Sequence, residues 1–247
     1  MSSERTPPPH GGAQFTTTHW SVVLAAGSGQ GGQATVALQT LCCNYWYPLY
    51  CFPRRLGHGP HDAEDVTQAF FSYLLAADLA GKANPEKGKF RSFLLATFKH
   101  FLAGEWDRAH AQKRGGGFEF VSWEYERAEG CYGREPLDRN DPEKLYEWSW
   151  AMALLDHVLA KLEQEFAASG KATVFAELKP CLIGEAQARS YAELARRLGK
   201  TEAAVKEAVR RLRLRYRELF REAIAQTVEG TDELDAEVQH IISILRA

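Results

Sequence analysis

SYAELARRLGKTEAAVKEAVRRLRLRYRELFREAI, residues 190–224, is the stretch on which the reading of this chain turns. Tyr191, Leu194, Ala195 and Leu198 recur at helical spacing and give one apolar face. Gly199 can take the left-handed conformation that ends a helix, and Thr201 can cap the next one. Val205, Val209, Leu212, Tyr216 and Leu219 then mark the buried stripe of a longer helix. Lys206, Arg210, Arg213 and Arg217 lie one position round from that stripe. Two helices on a short turn, the second with a basic open face, form the pattern of a helix-turn-helix placed in a major groove. Arg and Lys on such a face reach phosphates or base edges. The competing reading is a solvated charged bundle in which Glu207 pairs with Arg211 along one helix.

Working outward, charge is distributed in blocks. Residues 189–221 hold eleven Lys/Arg and four Glu, net +7, and residues 82–114 hold eight Lys/Arg and three acids, net +5. Between them, residues 119–147 carry nine acids and four bases, and residues 222–247 carry six acids and one arginine, each net -5. The overall charge of -2 hides this pattern, which suits a polyanionic partner touched at two places. Hydrophobic content of 45% and charged content of 25% place the 247 residues among ordinary globular chains of one or two domains. Cys42, Cys43, Cys51, Cys131 and Cys181 show neither zinc spacing nor a disulfide framework, so they read as reduced thiols of a cytoplasmic protein. No segment reads as a signal peptide or a membrane span.

The periodicities predict an all-α chain. Residues 1–15 read as a disordered tail. Residues 16–117 read as a helical domain with an N-terminal extension, opened by a short helix capped at Thr17 or Thr18 and broken by GSGQGG. Pro48 and Pro53 predict a bent or interrupted helix. In HDAEDVTQAFFSYLLAA, Asp62 reads as an N-cap with Asp65 in the capping-box position. GKFRSFLLATFKHFLAGEWDRAHAQKR puts Phe90, Phe93, Leu94, Phe98 and Phe101 on one core face, with Arg91, Lys99, Trp106 and His110 elsewhere on the helix surface. Residues 118–144 read as an acidic linker, residues 145–228 as the helix-turn-helix domain with a loop at KPCLIGEAQA, and residues 229–247 as an acidic amphipathic helix.

Aromatic residues interleaved with bases, as in residues 89–114, can stack unpaired nucleobases while cations hold the backbone. Enzyme readings find little support. His58, His61 and Cys51 lack a fourth ligand and the short spacing of a metal site. GSGQGG lacks the Gly-Lys-Ser/Thr end of a phosphate-binding loop. No nucleophile has a base in view, and no metal or cofactor is expected.

DAEDVTQAFF, the aromatic-basic helix, the acidic linker and the C-terminal helix-turn-helix, in that order, resemble a bacterial RNA polymerase sigma factor of the extracytoplasmic-function group of the sigma-70 family, over roughly residues 35–226. The resemblance implies a non-enzymatic transcription initiation factor that binds core RNA polymerase and directs it to promoter DNA. It implies a polymerase-binding surface at Asp62, Asp65, Val66, Gln68, Ala69 and Phe70. It implies recognition and opening of the promoter -10 element through Lys89, Arg91, Ser92, Lys99, His100, Trp106, Arg108, His110 and Lys113. It implies reading of the -35 element through Thr201, Ala203, Ala204, Lys206, Glu207, Arg210 and Arg211. An anti-sigma protein is a further partner that the resemblance leaves open. A DNA-binding regulator that never joins polymerase, and a structural helical adaptor, are the alternatives. The last acidic helix departs from the family's short members. It reads either as a cover for apolar surface or as a brake folded back on the basic C-terminal domain.

Overall fold

The computed structural model describes residues 22, 23, 26, 32–105, 141–183, 190–228 and 231–246. Among them are eight α-helices and no strand. The terminal tail, residues 27–31 of GSGQGG, the cap at Thr17 or Thr18, and the linker up to residue 140 lie outside the described residues, and Gly32 opens the first described helix.

Helix α1, Gly32–Arg55, runs through both Pro48 and Pro53, so the interruption expected there does not occur. Each proline removes a backbone hydrogen bond, at a cost of about 3 kcal/mol in a helix interior. Buried aromatics on either side offset this: Tyr45, Trp46, Tyr50 and Phe52 all face the core, and Trp46 stacks on Tyr50 at 5.0 Å. Helix α2, Pro60–Ala76, starts three residues earlier than the sequence suggests. Gly59 is its N-cap and Pro60 its first residue, while Asp62 sits inside the first turn. Proline with a fixed φ displaces the carboxylate from the capping role, leaving Asp62 to favour the helix N-terminus by charge alone.

A 3-10 turn, Pro85–Lys87, leads into α3, Phe90–His100, which continues as a π-helical turn, Phe101–Glu105. The wider turn keeps Phe101 in the core, with its ring 5.5 Å from Phe70 and 5.3 Å from Tyr73. Helix α4, Pro142–Ala168, is capped by Asp141, whose carboxylate accepts from the Glu143 N–H at 2.9 Å. It therefore begins within the segment that the sequence assigns to the linker. Helix α5, Ala172–Ile183, carries Pro180 inside it, where the sequence predicts a loop.

Helices α6, Tyr191–Leu198, and α7, Glu202–Ala225, follow, and then α8, Thr231–Arg246. Helix α4 packs against α1 on one side and against α5, α7 and α8 on others. The buried residues accordingly form one cluster, from Leu41, Phe70 and Phe98 through Trp150 and Leu154 to Leu212 and Ile241. Cys42 and Cys181 belong to it, and Cys51 is buried as well. No described helix is long and apolar enough to cross a membrane.

Candidate nucleic-acid interface

The turn between α6 and α7 is built as its residues dictate. Ser190 caps α6, its hydroxyl accepting from the Glu193 N–H at 3.2 Å. Gly199 sits at φ 61, ψ 37, the left-handed conformation that a side chain disfavours, and ends the helix. The Thr201 hydroxyl then accepts from the Ala204 N–H at 3.2 Å and opens α7. Leu194, Ala195, Val205, Val209 and Leu212 are buried beneath the turn. This leaves Thr201, Ala203, Ala204, Lys206, Arg210 and Arg211 exposed, with Glu207 partly so, on one continuous face at the start of α7.

The cations of that face are held lightly by their own helix. Arg210 gives Glu207 a two-pronged pair at 2.8 and 2.9 Å, which lowers the Glu207 carboxyl pKa and raises that of the guanidinium. The expected Glu207–Arg211 pair is present but longer, at 3.8 Å. Lys206 pairs with Glu202 at 2.8 Å and lies 5.8 Å from the Tyr191 ring centre. Exposed pairs of this kind contribute little to stability and exchange readily for a phosphate. Farther along α7, Arg213 and Arg215 tie the helix to its neighbours. Arg213 donates to the Cys181 carbonyl at 2.8 Å and ties α7 to α5. Arg215 forks onto Glu165 of α4 at 2.7 and 2.9 Å, and its hydrogen bonds hold the Glu165 carboxyl below the usual range.

Helix α3 presents a different arrangement. Ser92, Lys99 and His100 are exposed and Lys89 is partly exposed, but Arg91 is 2% exposed and does not lie on the helix surface. Its guanidinium donates to Glu147 of α4 at 2.9 Å, pairs with Glu237 of α8, and stacks over the Trp150 ring at 4.4 Å. The Tyr146 hydroxyl donates to the Arg91 carbonyl at 3.0 Å, and burial pushes that phenol's pKa up. Glu237 is itself 1% exposed and takes Lys89 with its other oxygen. Burial alone would raise the Glu237 carboxyl pKa, but the Arg91 charge and hydrogen bonds from Arg91 and Lys89 outweigh it and hold the carboxyl below its ordinary value. His240 approaches Glu147 at 3.8 Å, and Lys99 pairs with Glu143 of α4 at 2.5 Å. Trp106, Arg108, His110 and Lys113 lie outside the described residues.

On α2, Asp62 and Asp65 are exposed and Gln68 and Ala69 half-buried, whereas Val66 and Phe70 are fully buried. Phe70 lies 4.8 Å from the Phe98 ring, in the core and out of reach of a partner. Gln68 donates to Glu64 at 3.3 Å, and burial, with Asp65 adding to it, raises the Glu64 carboxyl pKa.

The sequence did not single out Glu147, Trp150 or Glu237 as partners of the basic segment. A signal existed for two members of this node. Arg91 is spaced with Leu94, Leu95 and Phe98, and Glu237 with Leu234, Val238 and Ile241, so each charge sits on its helix's apolar stripe. No group of His, Cys, Asp and Glu able to hold a metal ion occurs among the described residues. No family model, curated protein or solved structure matches the chain.

Proposed function

We propose that the chain is a transcription initiation factor of the sigma-70 type, acting without a cofactor of its own. It binds core RNA polymerase, reads duplex DNA at the -35 element with α7, and uses the α3 segment on the opened -10 element. The observation that carries this reading is the capped, left-handed turn at Ser190, Gly199 and Thr201. It leaves Ala203, Ala204, Lys206, Arg210 and Arg211 exposed at the start of a helix anchored by its buried stripe. Small residues beside Arg and Lys at that point allow close approach to a groove while the cations meet phosphates. On α2, the exposed acids Asp62 and Asp65, with Gln68 and Ala69, make up the polymerase-facing patch, and Val66 and Phe70 support it from beneath.

The test is co-elution of the full chain with bacterial core RNA polymerase on size-exclusion chromatography at about 0.15 M salt, near physiological ionic strength. The wild type should enter the complex, and the exposed double variant Asp62→Arg, Asp65→Arg should be excluded from it while staying folded. Binding of promoter duplex by a wild-type chain that never joins polymerase would instead make it a stand-alone DNA-binding regulator.

A further inference from the structure

Between residues 88 and 105 the chain has three Lys or Arg side chains, Lys89, Arg91 and Lys99. Every one of them meets a carboxylate from the C-terminal half. Glu237 of α8 takes Lys89 and Arg91, Glu147 of α4 takes Arg91, and Glu143 of α4 takes Lys99. Two cations converging on one buried carboxylate is the arrangement by which such side chains hold a phosphate. Arg91, walled in by Glu147, Glu237 and Trp150, is closed to any outside anion.

The element that closes this site is lightly seated. Among its described residues, only Glu237 and Ile241 of α8 are buried, so an ion-paired carboxylate stands beside a single fully buried apolar side chain. Leu234, Val238 and Leu245 pack at the margin of the core, and one exposed pair, Arg221–Asp235 at 2.8 Å, joins α8 to α7. A buried ion pair is a poor way to add stability, because apolar residues of similar volume serve as well or better. It is a good way to make closure reversible, since each ionic partner can be taken over by a competing ion.

We propose that α8, with the acids of α4, is an internal competitor for nucleic acid, and that the closed chain is a latched state in which Glu237, Glu147 and Glu143 occupy the cations of α3. The inference rests on the reading of α3 as a nucleic-acid-binding segment. It places the latch on the N-terminal half of the chain, and the Arg221–Asp235 pair extends it to α7. Release of α8 frees Lys89 and takes from Arg91 one of its two carboxylates, leaving Glu147 as the remaining one.

The experiment measures fluorescence anisotropy of a fluorescein-labelled single-stranded DNA of mixed sequence with the full-length chain. The wild type is compared with Glu237→Gln, with Asp235→Arg, and with Glu233→Arg as a control for added charge on the same helix. Asp235 is 75% exposed, so its replacement loosens α8 against Arg221 without touching the buried node. Glu237→Gln should bind the single strand about tenfold tighter than wild type, within the usual range of coupling between linked sites. Asp235→Arg should shift in the same direction beyond Glu233→Arg. Circular dichroism identifies a Glu237→Gln protein that fails to fold, in which case Asp235→Arg decides. Equal affinity of wild type, Asp235→Arg and Glu233→Arg overturns the latch. Co-elution of wild type with core polymerase, measured in parallel, separates the two failures. Co-elution with unchanged single-strand affinity removes the latch alone. Absence of both polymerase and DNA binding removes the functional reading and the latch with it.

Discussion

The two basic segments of this chain look alike in composition and differ in what holds their charges. In α7, Lys206 and Arg210 pair with acids three or four residues away on the same exposed helix. In α3, Lys89 and Arg91 pair with acids 148 and 56 residues distant, and Arg91 is buried. Local pairs on a surface compete weakly with a ligand and say nothing about the fold. Long-range buried pairs bind the charge to the tertiary structure, so that exposing the charge and rearranging the molecule become one event. A block of positive residues therefore reports the amount of charge, and only its partners report availability.

The largest test of this contrast is Arg91→Ala. It leaves Glu237 and Glu147 facing a vacated site and removes the stack on Trp150, and should destabilise the chain by about 3–5 kcal/mol in denaturant unfolding. A loss as small as that of a surface base would mean that α3 and α7 do not differ in kind.

Acid provides a second probe. The Glu237 carboxyl is held below its ordinary value, so its contribution is fully present above the unfolded pKa and is lost as pH falls through the folded one. The α3–α8 contact should thus persist through neutral pH and release only below the ordinary carboxylate range of about 4. Measured as hydrodynamic radius against pH, an expansion beginning near neutrality would contradict this sign.

A smaller effect is expected at Thr201→Ala, where α7 loses its cap and the chain about 1 kcal/mol. The smallest effect on stability is Arg210→Ala, which should leave the melting temperature where it is. Its consequence belongs to binding: duplex DNA affinity falls across sequences and the salt dependence shallows by about one phosphate contact. A clear drop in melting temperature would place Arg210 among the structural bases, with Arg213 and Arg215.

The local features were legible in the sequence and the distant ones were not. Gly199 and Thr201 announce the turn between α6 and α7 because capping and left-handed geometry depend on a few adjacent atoms. The all-helical character followed from 3.6-residue periodicity alone. Pro48 and Pro53 do not interrupt α1 and Pro180 does not make a loop, since their local penalty was outweighed by packing that no short window contains. Asp62 misled in the other direction, where Pro60 fixed an earlier start. Val66, Phe70 and Arg91 were assigned to surfaces that the fold buries, and in each case the helical stripe on which the residue lies gives the better guide. The pairing of Glu147 and Glu237 with α3 was out of reach of sequence reasoning because nothing local links residue 91 to residues 147 and 237.

The separation of Lys89 from Glu237 also has a consequence in time. A ribosome adding about 5–20 residues per second takes roughly 7–30 s to cover the separation of 148 residues. For that interval α3 exists and its buried counter-ion does not. The newborn helix carries its cations without the carboxylate that later covers them, so each molecule is synthesised unlatched and closes only when α8 arrives.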